Sequence, residues 1–201
     1  MKIAVFGATG MVGSAVTTEA LMRGHEVTAL SRSGSSIDQA QGQVLDFKNT
    51  DAVRNTIDTH DVSLIAIPGR DDYEAIVSAH EALIASAPIG RFIVVGGAGA
   101  LEVNGTRLLD LPGFPEEYRP EALAFGRVYD AYRSASPELN WTLVAPSPQI
   151  APGTRSEEYI VGADSPVGDY VSTQDFAVAI VDEMETPTHN RQRFTVASTP
   201  A

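Results

Sequence analysis

Residues 7–13 read Gly-Ala-Thr-Gly-Met-Val-Gly and follow directly on an apolar run from Lys2 to Phe6. Behind them Val12, Val16, Ala20 and Leu21 recur at helical spacing. Strand, glycine turn and helix in that order are the setting in which a dinucleotide fingerprint becomes specific. Against the spacing G-x-G-x-x-G, Ala8 takes the first position, with Gly10 and Gly13 at the second and third, and Gly7 opens the turn. Gly10 has no Cβ, so the backbone can approach a pyrophosphate, and Gly13 lets the helix pack closely on the strand. The first-turn N–H groups then face the phosphates, aided by the helix dipole. The chemistry expected here is nucleotide binding.

The end of the second predicted strand speaks to which nucleotide. An NAD site places Asp or Glu about 20 residues past the glycines, on the ribose 2′-hydroxyl. This chain has Ser31-Arg32-Ser33 there, with Glu26 too early and Asp38 too late. No carboxylate then repels a 2′-phosphate, and Arg32 offers a fork-shaped cation to bind one. Ser31, Ser33 and Ser35 add hydroxyl donors. The reading is NADP (as NADPH) rather than NAD. After the third strand, Asp46 is placed to accept from the adenine amino group and Phe47 to flank the ring, although both also suit the start of a helix. Ile67-Pro68-Gly69-Arg70 ends the fourth strand as a turn whose backbone would pass the adenine ribose.

Taken together, these residues resemble the atypical short-chain dehydrogenase/reductase superfamily, in its NmrA-like, NAD(P)H-binding branch. That branch includes biliverdin/flavin reductases and redox-sensing regulators. The resemblance rests on GATGMVG at 7–13, SRS at 31–33, Asp46-Phe47 and VVGGAG at 94–99. It continues through FPEEYRPEALAFGRVYDAYR at 114–133, WTLVAPSPQIAPG at 141–153 and VSTQDFAVAIVDEME at 171–185, covering nearly the whole chain. It implies a Rossmann-type core of seven or eight strands with NADP in an extended groove. By the same resemblance Thr9, Met11 and Val12 join the glycines around the pyrophosphate. Gly96, Gly97 and Pro146-Ser147-Pro148 would sit near the nicotinamide.

Most active members of that superfamily pair a serine with Tyr-x-x-x-Lys, where lysine lowers the tyrosine pKa so that it can protonate an alkoxide. The only lysines here are Lys2 and Lys48, and neither lies on the predicted helix 117–135. Tyr129 with Arg133 has the spacing, but arginine stays protonated. Tyr118 has Ala122 at the fourth position, and residues 96–101 carry no hydroxyl. The tyrosine–lysine mechanism is therefore excluded. A flavin or quinone spreads incoming charge over its ring and can take a proton from water, so conjugated or aromatic acceptors fit better than aliphatic ketones. Tyr118, Tyr129, Tyr132 and Ser147 remain candidate proton donors, and the tyrosines equally suit helix packing. His25, His60, His80 and His189 match no metal spacing and read as surface residues; no metal is expected.

The elements that must position these groups alternate strand and helix, the pattern of an α/β, doubly wound, mostly parallel sheet with helices on both faces. Strands are predicted at 2–6, 26–31, 43–45, 62–67, 91–96, 141–145 and 193–197. Helices are predicted at 11–23, 50–59, 72–87, 117–135 and 173–185. Gly24 closes the first helix, and Ser172, Thr173 or Asp175 caps the last. Segments 97–116 and 147–168 read as irregular. They follow strand C-termini, where open α/β sheets bind ligands. We therefore expect substrate-pocket segments at about 97–118 and 147–170 of one domain, 1–201. The leucine-rich loop before Tyr118 is expected to fold over the nicotinamide and form an apolar pocket with Tyr118 and Ile150.

At 201 residues and 43% hydrophobic content, one domain can bury a full core. With no cysteine there are no disulfides, which fits a cytoplasmic protein. The net charge of −12 and scattered arginines argue against a nucleic-acid or anionic-membrane partner. No apolar run reaches the roughly 18 residues of a membrane span, and the start lacks signal-peptide features. Three functions stay open: an NADPH-dependent reductase of a flavin, quinone or other conjugated acceptor, a non-catalytic NADPH sensor, and an NAD(P)-dependent epimerase. The epimerase is disfavoured because it too needs a tyrosine base. A small-molecule substrate is expected, and a monomer or a homodimer is compatible with the sequence.

Overall fold

Alternation along the first strand sets the layers. Ile3 and Val5 turn to one face, Ala4 and Phe6 to the other, and all four are buried. A strand covered on both sides must be apolar on both sides. The computed structural model describes residues 1–70 and 72–199.

The first half of the chain runs β1 (Lys2–Phe6), α1 (Met11–Met22), β2 (Glu26–Ser31), β3 (Gln41–Val44), α2 (Thr50–Asp58), β4 (Val62–Ile65), α3 (Tyr73–Ser86) and β5 (Phe92–Val95). A 3-10 turn (Ala98–Ala100), the short strands β6 (Glu102–Val103) and β7 (Thr106–Arg107), and two more 3-10 turns (Leu108–Asp110, Glu116–Tyr118) lead to α4 (Arg119–Arg133). The rest is β8 (Trp141–Pro146), β9 (Gln149–Ala151), β10 (Tyr159–Gly162), β11 (Tyr170–Ser172), α5 (Thr173–Glu185) and β12 (Arg193–Ser198).

Eight strands form one sheet in the order β10-β12-β8-β5-β4-β1-β2-β3. Every pairing in it is parallel except β10 with β12. The chain leaves β1 toward β2 and β3, then returns to lay β4 on the other side of β1. This is the α/β Rossmann-like arrangement, and its switch point lies between β1 and β4. On one face α1 and α5 bury Val16, Ala20, Phe176 and Ile180. On the other α2, α3 and α4 bury Val53, Ile57, Leu83, Phe125 and Val128.

Several boundaries differ from the sequence reading. The expected irregular segments hold short strands: β6 and β7 form a hairpin across Asn104-Gly105, and β9 pairs with β11 as a small separate sheet. The strand β10 closes the main sheet antiparallel to β12. The expected helix 117–135 begins as a 3-10 turn and becomes α-helical at Arg119, with Pro in the first turn. Gly24 sits at φ +79° just past α1, and the Ser172 hydroxyl oxygen accepts from the Asp175 N–H at the head of α5.

Candidate cofactor and active site

Three glycines of the first turn serve different ends. A Cβ on Gly7 would lie 2.2 Å from the Ala66 carbonyl oxygen, and one on Gly13 would lie 2.2 Å from the Gly7 carbonyl oxygen. Those two glycines let β1, β4 and α1 close on one another. Gly10 is different, since its added Cβ would meet Gly7 O at 3.2 Å and nothing else nearby. It faces open space at the N-cap of α1, where no side chain caps the helix and no acid stands in the first turn. By contrast α2, α3 and α5 are capped by Asn49, Asp72 and Ser172, and each has an acid in its first turn. The head of α1 thus keeps free N–H groups and a positive dipole end for an anion. Around it Thr9 and Met11 are exposed, Val12 is half-buried and Ala8 is sealed beneath.

The neighbouring strand ends bring further groups to the same edge. Ser31 is buried at the end of β2, its hydroxyl oxygen accepting from the Gly34 N–H at 3.0 Å. A chain of hydroxyls runs on from it, Ser31 to Ser33 at 3.3 Å and Ser33 to Ser35 at 2.8 Å. Arg32 is exposed and has no ion-pair partner among the described residues. Asp46 is exposed and accepts from the Lys48 N–H at 3.0 Å. Phe47 corrects an expectation. Its ring packs in the core, 6.1 Å from Phe6 and 4.9 Å from His80, so it is turned away from any adenine and can offer backbone alone. Beyond β4, Ile67 is half-buried, Pro68 exposed and Gly69 buried, where a Cβ would strike the Tyr73 ring at 2.4 Å.

At the ends of β5 and β8 the wall is almost bare of side chains. A Cβ at Gly96 would meet Leu143 at 2.6 Å, while Gly97 has room. Pro146 is buried and Pro148 exposed, and between them the Ser147 hydroxyl donates to the Val196 carbonyl at 2.8 Å. That serine is tied to β12.

The tyrosines divide sharply. Tyr132 is sealed in the core beside Phe92 and Trp141, with its oxygen 2.9 Å from His80 Nδ1. Burial pushes its phenol well above the usual range, and the group is sealed away from solvent and from any bound substrate. His80, expected on the surface, is buried in the same place, and burial pushes its imidazole down to about 3. Tyr129 is buried too. It donates to Asp164 Oδ1 at 3.1 Å under the Arg193 guanidinium, 4.1 Å from its ring centre, and burial raises its pKa. Arg133, at the position where a lysine would act, lies over the same ring at 5.5 Å. Tyr118 is 57% exposed at the entry to α4. Ile150 packs with the core under α1 and α5, so it shares no core with Tyr118. Of the leucine-rich loop, Leu101 and Leu109 are buried, and Arg119 donates to the Leu109 carbonyl at 2.7 Å.

The sequence reading missed Arg193, Asp164 and the Glu19–Arg155 pair. Arg193 opens an otherwise uncharged strand, and that lone charge was its only signal. Glu19 is buried in α1 and accepts from Arg155 at 2.7 and 2.9 Å, which ties the segment after β9 to α1. Among the described residues no group of acids and histidines is placed to hold a metal ion, and no helix is long and apolar enough to cross a membrane.

The profile of the NAD(P)H-binding family matches residues 7–187. The chain belongs to the NAD(P)H-binding family. An uncharacterised member of similar length, YwnB of Bacillus subtilis (strain 168), is 38% identical, covering 98% of this chain and 99% of its own. A Burkholderia pseudomallei structure, provisionally described as an exported protein, is 36% identical with TM-score 0.89, covering 98% of this chain and 99% of that one. A Streptococcus pneumoniae structure, provisionally described as an NADH-flavin reductase, is 31% identical with TM-score 0.85, covering 99% of this chain and 100% of that one. A Bacteroides thetaiotaomicron structure, provisionally described as an epimerase, is 32% identical with TM-score 0.86, covering 100% and 98%. Membership of the NAD(P)H-binding family supports a nicotinamide dinucleotide as the cofactor.

Proposed function

We propose that this protein is an NADPH-dependent oxidoreductase that reduces a flavin, a quinone or another conjugated acceptor. One observation carries the reading: the hydroxyls that the sequence offers as acids are, except for Tyr118, engaged in the protein's own structure. Ser147 donates to Val196, Tyr129 to Asp164, and Tyr132 is locked against His80. An acceptor that stabilises its own negative charge needs no such acid. The bound cofactor would supply the hydride. The chain's part is to bind, orient and exclude water, and orientation alone can supply several kcal/mol of a barrier.

In this reading the N–H groups of Met11, Val12 and Gly13 hold the pyrophosphate. Arg32 with Ser31 and Ser33 takes the 2′-phosphate, and Asp46 the adenine amino group. Residues 96–97 and 146–148 flank the nicotinamide. The preference for NADPH rests on Arg32, which has no ion-pair partner among the described residues, and on the absence of a carboxylate at the end of β2. The streptococcal relative is described with NADH, so calorimetry must compare both cofactors. Tighter NADPH than NADH binding in the wild type, lost in Arg32→Ala, is expected; equal affinities in the wild type reject NADP selectivity. Reduced cofactor is available in the cytoplasm, where we place the protein.

The same engaged hydroxyls favour a second reading, a non-catalytic NADPH sensor. An epimerase is the weaker reading, despite the Bacteroides relative, because no Tyr-x-x-x-Lys pair is present.

A further inference from the structure

The stretch Gly96-Gly97-Ala98-Gly99-Ala100 carries no side chain longer than a methyl, so it cannot anchor itself by interdigitating side chains. It lies flush on α4, where a Cβ on Gly99 would come 2.4 Å from the Ala122 Cβ. Its start is fixed to the sheet by the Gly96 N–H donating to Val144 O at 2.8 Å. Its far end is held by something else.

Arg193 enters from β12 with its side chain 1% exposed. Its Nη1 donates to the Ala100 carbonyl at 2.8 Å. Nε and Nη2 donate to Asp164 Oδ1 at 3.0 and 2.7 Å, and the same oxygen accepts from Tyr129. The Asp164 carbonyl in turn accepts from the Glu102 N–H at 2.8 Å. Burying a guanidinium is costly, and an apolar residue would fill the space more cheaply. What an apolar residue cannot do is reach two loops at once in fixed directions, which the planar fork does. Both loops that it joins are at segments already assigned to the substrate pocket.

We infer that Arg193, with Asp164 and Tyr129, is a positioning residue that clamps residues 97–102 as the wall against which the nicotinamide is oriented. The tyrosine in the Tyr129/Arg133 slot then serves geometry rather than proton transfer. This rests on the reductase reading for its consequence in catalysis, but the clamp itself has readouts of its own.

The test uses Asp164→Ala, whose side chain is 58% exposed, together with Tyr129→Phe. Three quantities are measured with NADPH as the probe: its affinity by calorimetry, the fluorescence gain of its nicotinamide on binding, and amide exchange across residues 97–102. Where turnover exists, kcat and KM for NADPH are added. The clamp should leave NADPH affinity within about twofold, because adenine and phosphates bind elsewhere, while exchange rises about tenfold and the fluorescence gain is lost. The kcat should fall about tenfold to a hundredfold with KM for NADPH unchanged. Wild-type exchange and fluorescence in both variants overturn the clamp, as does an affinity loss with the fluorescence gain intact. If Asp164→Ala does not fold, Asp164→Asn, which keeps the side chain's size and removes the charge facing Arg193, is measured in its place. Wild-type binding without turnover refutes the reductase and leaves the clamp to be judged by exchange and fluorescence. Failure of the wild type to bind NADPH refutes both.

Discussion

The phenol oxygen of Tyr132 lies 2.9 Å from Nδ1 of His80, joining α4 to α3 in a part of the core that solvent does not reach. This pair separates structural from chemical tyrosines. Tyr132→Phe removes one buried partner and leaves the imidazole unpaired, since its Nε2 has no partner either. A loss of about 1–3 kcal/mol is expected, or several degrees in Tm for a chain of this size, roughly 2–4 °C per kcal/mol. NADPH affinity should not change. Calorimetry on the variant checks both, and weakened binding at unchanged Tm would return Tyr132 to the site.

The same histidine gives the fold a pH dependence. Burial lowers its pKa from 6.5 to about 3, so the folded state refuses a proton that the unfolded chain accepts. Its contribution is fully present above pH 6.5 and is lost as pH falls from there toward 3. Glu19, held low by Arg155, loses its contribution later, as pH falls below the ordinary glutamate value of 4.5. Burial also lowers His60, which adds to the upper window. Urea unfolding at pH about 7 and about 5 should show a stability loss that His80→Leu reduces. An equal loss in that variant would mean that the imidazole is not the responsible group.

Gly10 and Gly13 should fail differently. At Gly13 a methyl group would stand 2.2 Å from backbone, so Gly13→Ala should lower Tm by distorting the β1–α1 joint. At Gly10 the nearest atom is 3.2 Å away, so Gly10→Ala should fold and instead lose nucleotide affinity, by about tenfold or more. Melting curves and calorimetry on the pair distinguish the two effects. Unchanged NADPH affinity in Gly10→Ala would remove the pyrophosphate from this turn.

In the proposed reading Arg32 carries the choice of NADPH over NADH. A charge-assisted hydrogen bond is worth about 1.5–3 kcal/mol, so Arg32→Ala should weaken NADPH by roughly tenfold to a hundredfold. NADH should bind the variant as it binds the wild type. Equal weakening of both cofactors would assign Arg32 to the fold rather than to the 2′-phosphate.

The five helices and the long parallel strands were legible because their apolar runs are periodic and end in glycine or a cap. The glycine turn was legible for the same reason. Strands β6, β7, β9, β10 and β11 were not, because each is two to four residues long, and β9, β10 and β11 take their pairing from distant chain. Asn104-Gly105 did carry a hairpin signal that its two-residue strands were too short to support. His80 shares a helical stripe with Ile76, Val77 and Leu83, a signal of burial outweighed by its polarity. Phe47 shows the limit of reading a site residue by residue, since it follows β3 but turns its ring into the core. Arg193 and Asp164 lie 29 residues apart and meet through tertiary packing alone, so no local pattern announces them.

In the proposed reductase, reduced cofactor passes hydride to an acceptor that needs no protein acid. The direct measurement follows NADPH absorbance against a panel of flavins, quinones, aldehydes and aliphatic ketones. Oxidation of NADPH is expected with at least one flavin or quinone, and none with the aliphatic ketones. Tight NADPH binding with no turnover across the panel would contradict it and make the protein a sensor.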